Sequence, residues 1–474
     1  MSTTAVPRVV VAGLAGDAGK TLAALAIVTA ARDRGMPVRG FKKGPDYIDA
    51  AWLSWASGAP ARNLDTFLAG PEGAVLGFCR HAVRPEGGGL ALNVIEGNRG
   101  LFDGTDAVGT HSTAALARLL RAPVVLVINL RKMTATAAAL VRGCQAMDPA
   151  LAVAGVILNQ VAGLRHEAVA REAIEQACRV PVLGAIPRLD DPGLLPGRHL
   201  GLVPPAEHAA RAGVAGLLSR IAREYLDVDR ILACAEGAPA LDDVGAANGD
   251  PDMPARALRP VSIGVVSDSA FSFYYPENLE ALEARGATLV PISSISDGVL
   301  PAGISALYIG GGFPETHAEA IAANRPFLDS IRGAAARGLP IYAECGGLML
   351  LANSVQWRGR RHAMAGVLPV DVDVLESPQG HGYAVLRVDR PNPFFAVGEE
   401  IRGHEFHYSR IAGRLPGTAC AVVRGTGCGD GRDAIVANGV WASYVHVHAA
   451  GVPAWTDGMM RAACAYRIDA GDAR

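Results

Sequence analysis

From Arg8 onward the chain alternates short β-branched apolar runs with alanine-rich amphipathic stretches of helix length. RVVVAG leads into TLAALAIVTAARDRG, LNVIEG follows, PVVLVINL leads into TATAAALVRGCQAM, LAVAGVILNQV into HEAVAREAIEQAC, and PVLGAIP closes the series. Apolar runs separated by helix-length segments predict βαβ units around a parallel sheet covered on both faces. The pattern ends near Tyr225. Residues from about Glu236 to Pro260 are rich in Gly, Pro, Ala and Asp without any period, which marks a linker. Beyond it VSIGVVSDS, ENLEALEARG, TLVPIS, SALYIGGG, PFLDSIRGAAARG and LPIYAECGG restart the alternation, predicting a second doubly wound unit. The stretch Arg361 to Tyr466 reads as strand-rich, with HGYAVLRVDR, EFHYSRIAG and WASYVHVHA as antiparallel additions. The expected fold class is α/β with two doubly wound domains, 1–235 and 261–474, joined by the linker 236–260.

Length agrees with this division, since 474 residues at roughly 100–200 per domain make two or three domains. With 50% hydrophobic residues, 19% charged residues and a net charge of -2, the chain reads as globular, and no nucleic-acid partner is expected. The 56 glycines and 5% aromatic residues suit tight strand-to-helix turns better than an aromatic-rich sandwich. Eight cysteines are scattered without a CxxC pair, which suggests neither a zinc site nor a disulfide framework and points to a reducing compartment. The N-terminus lacks a signal-peptide pattern and no stretch approaches the ~20 apolar residues of a membrane span. The expectation is a cytoplasmic protein without membrane association.

Two segments carry candidate chemistry. The first is GLAGDAGKT, Gly13 to Thr21, between the strand RVVVA and an alanine-rich helix, the context a phosphate-binding loop needs. Backbone N–H groups around Gly13, Gly16 and Gly19 would cradle a triphosphate, Lys20 would reach its outer phosphates, and the Thr21 hydroxyl would hold Mg²⁺. The spacing carries one residue more than GxxxxGKT, so Leu14 stands where the first glycine is usual. Glu96, at the end of ALNVIEG, would emerge at the carboxyl edge of a strand and serve the same cation. Asp46 and Asp49 in FKKGPDYID, and Asp103 in GLFDG, are candidates for the cation or for substrate, although aspartates in such places also cap helices and turns.

The second segment is YAECGGLM, in which Cys345 occupies a strand-to-helix elbow followed by Gly346 and Gly347. A helix N-terminus there is expected to lower the thiol pKa, and backbone N–H groups can form an oxyanion hole, with Gly310, Gly311 and Gly312 of YIGGGFPE as further donors. A cysteine nucleophile requires a base, and His446 in ASYVHVHA is the leading candidate. Strand alternation would put Tyr444, His446 and His448 on one face. His404, Glu405 and His407 in GHEFHYS lack the spacing of a helical zinc motif and are read as structural or site-shaping.

Together these motifs resemble the cobyrinate a,c-diamide synthase family of glutamine-dependent amidotransferases. The resemblance runs through GLAGDAGKT, FKKGPDYID, RNLDTFL, GLFDG, RHLGLVP, FSFYYPENLEAL, YIGGGFPE, AECGGLM, GHEFHYS and SYVHVH, in family order and over nearly the whole chain outside the linker. The N-terminal half is similar in type to dethiobiotin synthetase, whose loop also has the extra residue. The resemblance implies two sites: ATP and Mg²⁺ turn a tetrapyrrole carboxylate into an acyl phosphate, and glutamine is hydrolysed to release the ammonia that displaces phosphate. It implies that Lys20, Thr21, Asp46 and Glu96 serve nucleotide and metal, and that Cys345 and His446 serve the glutaminase.

Departures from the family pattern bear on substrate. GPDYID continues with Ala50, Ala51, Trp52 and Leu53, Asn98 and Arg99 follow the acidic strand, Lys43 adds a cation after Lys42, and Asn129, Arg131 and Lys132 replace more usual residues. Lys42, Lys43, Tyr47, Asp49, Arg99 and Asp103, with Arg131 and Lys132, are the candidate substrate contacts. Cobyrinate leads as substrate, siroheme is the close alternative, and a partitioning or metal-delivery ATPase with an inactive second half is the competing class. His448 stands where related triad enzymes carry a glutamate, which suggests a Cys-His dyad. Oligomeric state, a homodimer included, is left open.

Overall fold

The computed structural model describes residues 6–85, 89–189, 197–198, 201–208, 211–241 and 261–472. The chain divides into two compact units, Met1–Thr66 with Gly70–Pro251, and Phe67–Ala69 with Asp252–Arg474.

In the first unit β1 (Arg8–Gly13), β2 (Val38–Lys43), β3 (Arg62–Leu64), β4 (Leu92–Glu96), β5 (Val124–Asn129), β6 (Val153–Val161) and β7 (Val182–Pro187) form one sheet, ordered β3-β2-β4-β1-β5-β6-β7. All its pairings are parallel. Every residue of β1 and β4 is buried, which is why these strands are mostly apolar instead of alternating, with Arg8, Asn93 and Glu96 as their buried polar exceptions. The order turns around at β4 and β1, opening a crevice at the carboxyl ends of β1, β2 and β4. Register then sets what meets there: Lys42 is opposite Glu96, and Glu96 is opposite Val11, two residues before the glycine loop. Helix α1 (Lys20–Asp33) starts from Gly19 in a left-handed conformation, φ 94°, and α2 (Tyr47–Ser57) starts from Asp46. A short hairpin, β8 (Gly197–Arg198) with β9 (Gly201–Leu202), follows β7. The linker expected over 236–260 lies outside the described residues from 242 onward. Its first residues pack on the first unit, where Arg8 donates to Pro239 O at 2.5 Å and Leu241 is buried.

The second unit is built on a ten-stranded sheet. Its parallel part comprises β10 (Val261–Val266), β11 (Ala287–Ile292), β12 (Ala306–Ile309), β13 (Ile341–Glu344) and β22 (Val440–Ser443). A separate four-stranded sheet contains β14 (Ser354–Trp357), β15 (Arg360–Ala363), β16 (Asp371–Val374) and β19 (Ser409–Ala412). The antiparallel part of the large sheet comprises β17 (Gly380–Val388), β18 (Glu400–His407), β20 (Thr418–Arg424), β21 (Arg432–Ala437) and the short β23 (His446–Val447). The full order is β11-β10-β12-β13-β22-β21-β20-β17-β18-β23.

Two expectations for this unit need correction. The strand read over WASYVHVHA is two strands, β22 and β23, because Tyr444 N–H bonds to Asp433 Oδ1 (3.4 Å) and Val445 N–H to Ser443 Oγ (2.9 Å) instead of continuing the ladder. β22 and β23 stand fifth and tenth in the order, yet three peptide steps reach at most ~11 Å. The antiparallel half therefore curls back on itself. The strand-rich stretch also ends at Val447, and Pro453–Asp472 is a helix. Its Trp455, Met459 and Ala463 are buried, a four-residue spacing that marks one helical face. Trp455 packs on Tyr308 and Tyr342, with ring centroids 5.3 and 5.7 Å away.

Candidate functional sites

The loop between β1 and α1 is shaped by close approach. A Cβ on Gly13 would stand 2.8 Å from Ala18 Cβ, and one on Gly19 would stand 2.2 Å from Asn159 Nδ2. Asn159 donates to Ala18 O at 2.9 Å, so a residue at the end of β6 fastens the loop from beneath. It went unnoticed in the sequence, although an Asn inside the apolar run ILNQV was a usable signal. Gly16 is exposed at the loop tip, where a Cβ would meet nothing within 4 Å. Lys20 folds back over the loop, its Nζ donating to Ala15 O at 2.8 Å. Burial and the neighbouring Lys42 charge lower its pKa, against the opposing pull of Glu96, Asp49 and Asp17.

At the carboxyl ends of β2 and β4 lies a charged cluster in which Lys42 and Glu96 are buried while Thr21 and Asp49 are partly exposed. Glu96 Oε1 accepts from Thr21 Oγ1 at 2.6 Å and from Lys42 Nζ at 3.0 Å, and Lys42 also reaches Asp49 Oδ2 at 2.5 Å and Gly97 O at 3.1 Å. Burial, then the Asp49 charge, push the Glu96 carboxyl up to about 7 despite Lys42 and Thr21. The second oxygen, Glu96 Oε2, is buried without a hydrogen-bond partner. A hydroxyl beside a carboxylate with an unused oxygen is a donor set that a hard divalent cation accepts.

The expected metal set of Thr21, Asp46 and Glu96 is brought together only in part. Asp46 Oδ1 caps α2, accepting from Ile48 N–H (2.8 Å) and Asp49 N–H (2.9 Å), while Asp49 is the aspartate in the ion-pair network. Burial and Asp49 push the Asp46 carboxyl up to about 6. Among the described residues no group of three or more His, Cys, Asp or Glu side chains is arranged to hold a metal.

The candidate substrate contacts separate in the same way. Lys42 and Asp49 belong to the cluster, and Tyr47 is half-buried as the first residue of α2. Lys43 is buried, and its pKa is lowered by that burial, with Asp65 opposing. Asp103 accepts from Gly100 N–H at 2.8 Å and so holds a turn. Arg99, Arg131 and Lys132 are exposed. Asn63 of RNLDTFL, another residue missed in the sequence, donates to Gly44 O (2.8 Å) and Asp46 O (3.0 Å), locking the approach to α2.

In the second unit the carboxyl ends of β12, β13 and β22 lie side by side, with Glu344 paired in register with Ser443. Cys345 follows immediately at φ 48°, a strained conformation for a residue with a Cβ and the mark of a nucleophile elbow. Its N–H bonds to Ser443 O at 2.7 Å. The thiol does not behave as the helix N-terminus suggested. Burial first, then the charges of Glu315, Glu344 and Glu405, drive its pKa well up, and the Gly346 N–H only partly offsets them.

The glycine run after β12 also divides by role. Gly310 N–H is taken by Tyr274 Oη at 2.7 Å, so it is not the free oxyanion donor expected. Gly311 lies against the candidate base, since a Cβ there would stand 2.4 Å from His446 Cε1. Gly312 N lies 3.1 Å from where a Cβ on Gly346 would be, which brings these two candidate donors together.

His446 is buried and sits in register with His404 across β18 and β23, the two rings stacked 4.9 Å apart. Its Nδ1 lies 3.4 Å from Glu344 Oε2, a neighbour that sequence reasoning missed. His404 Nδ1 meets Tyr275 Oη at 3.2 Å, and burial among His446, His381 and His448 holds its pKa well below the ordinary range. Glu405 accepts from Gly427 N–H at 2.8 Å and from Thr426 N–H, and His407 stacks on Tyr444 at 3.8 Å while its Nδ1 bonds to Ser409 O at 2.7 Å. His448 lies against the Tyr275 ring at 4.8 Å and its Nδ1 accepts from Ala450 N–H at 3.2 Å.

A phosphate-binding α/β unit and a unit carrying a cysteine elbow in one chain define a two-domain, glutamine-dependent amide ligase. Residues 9–203 match the CobQ/CobB/MinD/ParA nucleotide binding domain, and residues 262–453 match the CobB/CobQ-like glutamine amidotransferase domain. The chain is 41% identical over 462 residues to cobyrinate a,c-diamide synthase of Magnetococcus marinus, covering 96% of this chain and 97% of that one. It is 40% identical over 453 residues to the Syntrophotalea carbinolica enzyme of that name, covering 94% and 96%, and 38% identical over 446 residues to the Archaeoglobus fulgidus one, covering 94% of each. The chain belongs to the cobyrinate a,c-diamide synthase family. No helix among the described residues is long and apolar enough to cross a membrane.

Proposed function

We propose that the protein amidates the a and c side-chain carboxylates of a cobyrinate-type tetrapyrrole, using ATP for activation and glutamine as the nitrogen source. The observation that carries this reading is the pairing, in one chain, of the Lys20–Thr21–Glu96 phosphate site with the strained Cys345 elbow, whose preceding residue Glu344 lies 3.4 Å from His446. A carboxylate is a poor electrophile, so the first site transfers the terminal phosphoryl group of ATP to the substrate carboxylate, giving an acyl phosphate and ADP. Lys20 meets the outer phosphates once it leaves Ala15 O, and the loop N–H groups between Gly13 and Gly19 cradle the chain of phosphates. Thr21 and Glu96 would hold Mg²⁺, which supplies charge neutralisation at the phosphates.

At the second site His446 takes the proton of Cys345 as sulfur attacks the glutamine amide carbon. The C–N bond breaks, the proton passes to the departing nitrogen, and ammonia leaves a glutamyl thioester that water then hydrolyses to glutamate. The N–H groups at Gly312 and Gly346 are the donors for the tetrahedral oxyanion. Ammonia displaces phosphate from the acyl phosphate to give the amide.

The test is mass spectrometry of the purified protein with ATP, Mg²⁺ and glutamine, offering cobyrinate and siroheme in separate reactions. Diamide from cobyrinate is the expected product. Amide on siroheme alone would keep the chemistry and overturn the substrate, and ATP hydrolysis without any amide would overturn the ligase reading.

A further inference from the structure

We propose that Glu344 is the positioning carboxylate of the glutaminase site, orienting His446 from the chain position just before the nucleophile. The inference rests on the reading of Cys345 and His446 as nucleophile and base. It replaces the dyad suggested by His448, and the acid that the pattern two residues after the histidine lacks is supplied from a different strand.

Geometry carries the argument. Glu344 and His446 are both sealed from solvent, their side chains 1% and 2% exposed, with Oε2 3.4 Å from Nδ1. The same carboxylate accepts from Val447 N–H at 3.2 Å through Oε1 and from Tyr308 Oη–H at 3.3 Å through Oε2. One side chain thus contacts both the imidazole and the backbone of the next residue, so the carboxylate is itself held in place against the ring. The opposite side of this strand segment is held as well. Asn278, fully buried in the FYYPENLEAL segment, donates to Val447 O at 2.9 Å and accepts from Ala449 N–H at 2.7 Å. Asn278 also reaches Tyr308 Oη at 3.4 Å, closing a ring of contacts around Glu344 and Val447. The FYYPENLEAL segment therefore serves to fix the base.

Neighbouring candidates for the role are engaged elsewhere. Glu405 is turned to Thr426, Gly427 and His407, and His448 is held by Tyr275 and Ala450. His404, stacked on His446, is kept neutral by its burial and places no carboxylate against the ring. With Nδ1–H directed to Glu344, His446 exchanges protons through Nε2. The carboxylate then stabilises the imidazolium formed when the thiol proton transfers. That help is needed because the buried thiol gives up its proton reluctantly.

The experiment compares Glu344→Gln, Glu344→Asp and Cys345→Ala in the full-length protein, measuring glutamine hydrolysis, its pH profile, and amidation supported by ammonia. Glu344→Gln should lower glutaminase kcat by about 100-fold with the glutamine KM changed by less than about threefold. The acidic limb of its kcat/KM profile should move to lower pH, because an imidazole without its anionic partner holds a proton less tightly. Glu344→Asp should restore part of kcat. A Glu344→Gln kcat within about threefold of the parent with an unmoved pH limb overturns the proposal, as does equal loss in Gln and Asp variants together with loss of ammonia-supported amidation. Retention of glutamine-supported amidation in Cys345→Ala would instead overturn the underlying site. Its abolition there, with Glu344→Gln unaffected, would remove only Glu344.

Discussion

Lys42 and Glu96 face each other across one ladder position, and neither reaches solvent. Buried pairs of this kind persist because each charge would be far more costly alone, and Asp49 and Thr21 add hydrogen bonds to Lys42 and to Glu96 Oε1. Asp433 is a buried carboxyl of the second unit with no cation hydrogen-bonded to it. Its Oδ1 accepts from Ala434 N–H, Tyr444 N–H and Cys428 Sγ–H, while Oδ2 is buried without a hydrogen-bond partner, and burial pushes the carboxyl from 3.8 up to about 6. A carboxyl whose folded pKa is raised favours the folded state fully below its unfolded pKa and loses that contribution as pH rises through the folded value. Asp433→Asn keeps an oxygen at Oδ1 and removes the ionisation. Its melting temperature relative to the parent should therefore climb between about pH 4 and 6 and level off above about pH 7, with a gain there of at most about 3 kcal/mol. Thermal melts across that range check this, and a difference independent of pH would count against it.

At the scale of elements, glycines place the catalytic strands. A Cβ on Gly312 would stand 2.0 Å from Ala270 O and one on Gly347 would stand 2.4 Å from Ile309 O, so neither position has room for a side chain. Gly311 is different, because the atom in the way is His446 Cε1 at 2.4 Å. Gly311→Ala is therefore expected to push the imidazole off its position and cut glutaminase kcat by about tenfold or more, with ammonia-supported amidation retained. Steady-state assays with each nitrogen source check the split. Period and spacing made the parallel strands, the loop before α1 and the Cys345 elbow legible in the sequence, since each is a local pattern. The break between β22 and β23 was not legible, because it depends on Asp433, eleven positions before Tyr444, competing for a backbone N–H. Glu344 was hidden for the same reason: its partner His446 is 102 residues away, and only strand pairing brings them together.

Over the whole molecule, the residues of the two candidate sites fall in separate compact units. Cys345→Ala should abolish amidation from glutamine while sparing amidation from ammonia, and Lys20→Ala should remove amide synthesis from either source while leaving some glutamine hydrolysis. Product analysis with both nitrogen sources decides. Equal loss of both activities in the cysteine variant would sink the assignment of separate sites. The cluster around Lys42 was readable as a set of charged residues but not as a network, since the aspartate that caps α2 and the one that pairs with Lys42 lie three positions apart and look alike in sequence.

The curled sheet bears on the order in which the molecule can become active during synthesis. β12 and β13, which lead into the glycine run and Cys345, pair in parallel with each other, whereas His446 is positioned by β23 docking on β18 and onto Glu344. Contacts of such long sequence separation form late. A chain whose synthesis has not yet passed His446 therefore holds the Cys345 thiol without its candidate base.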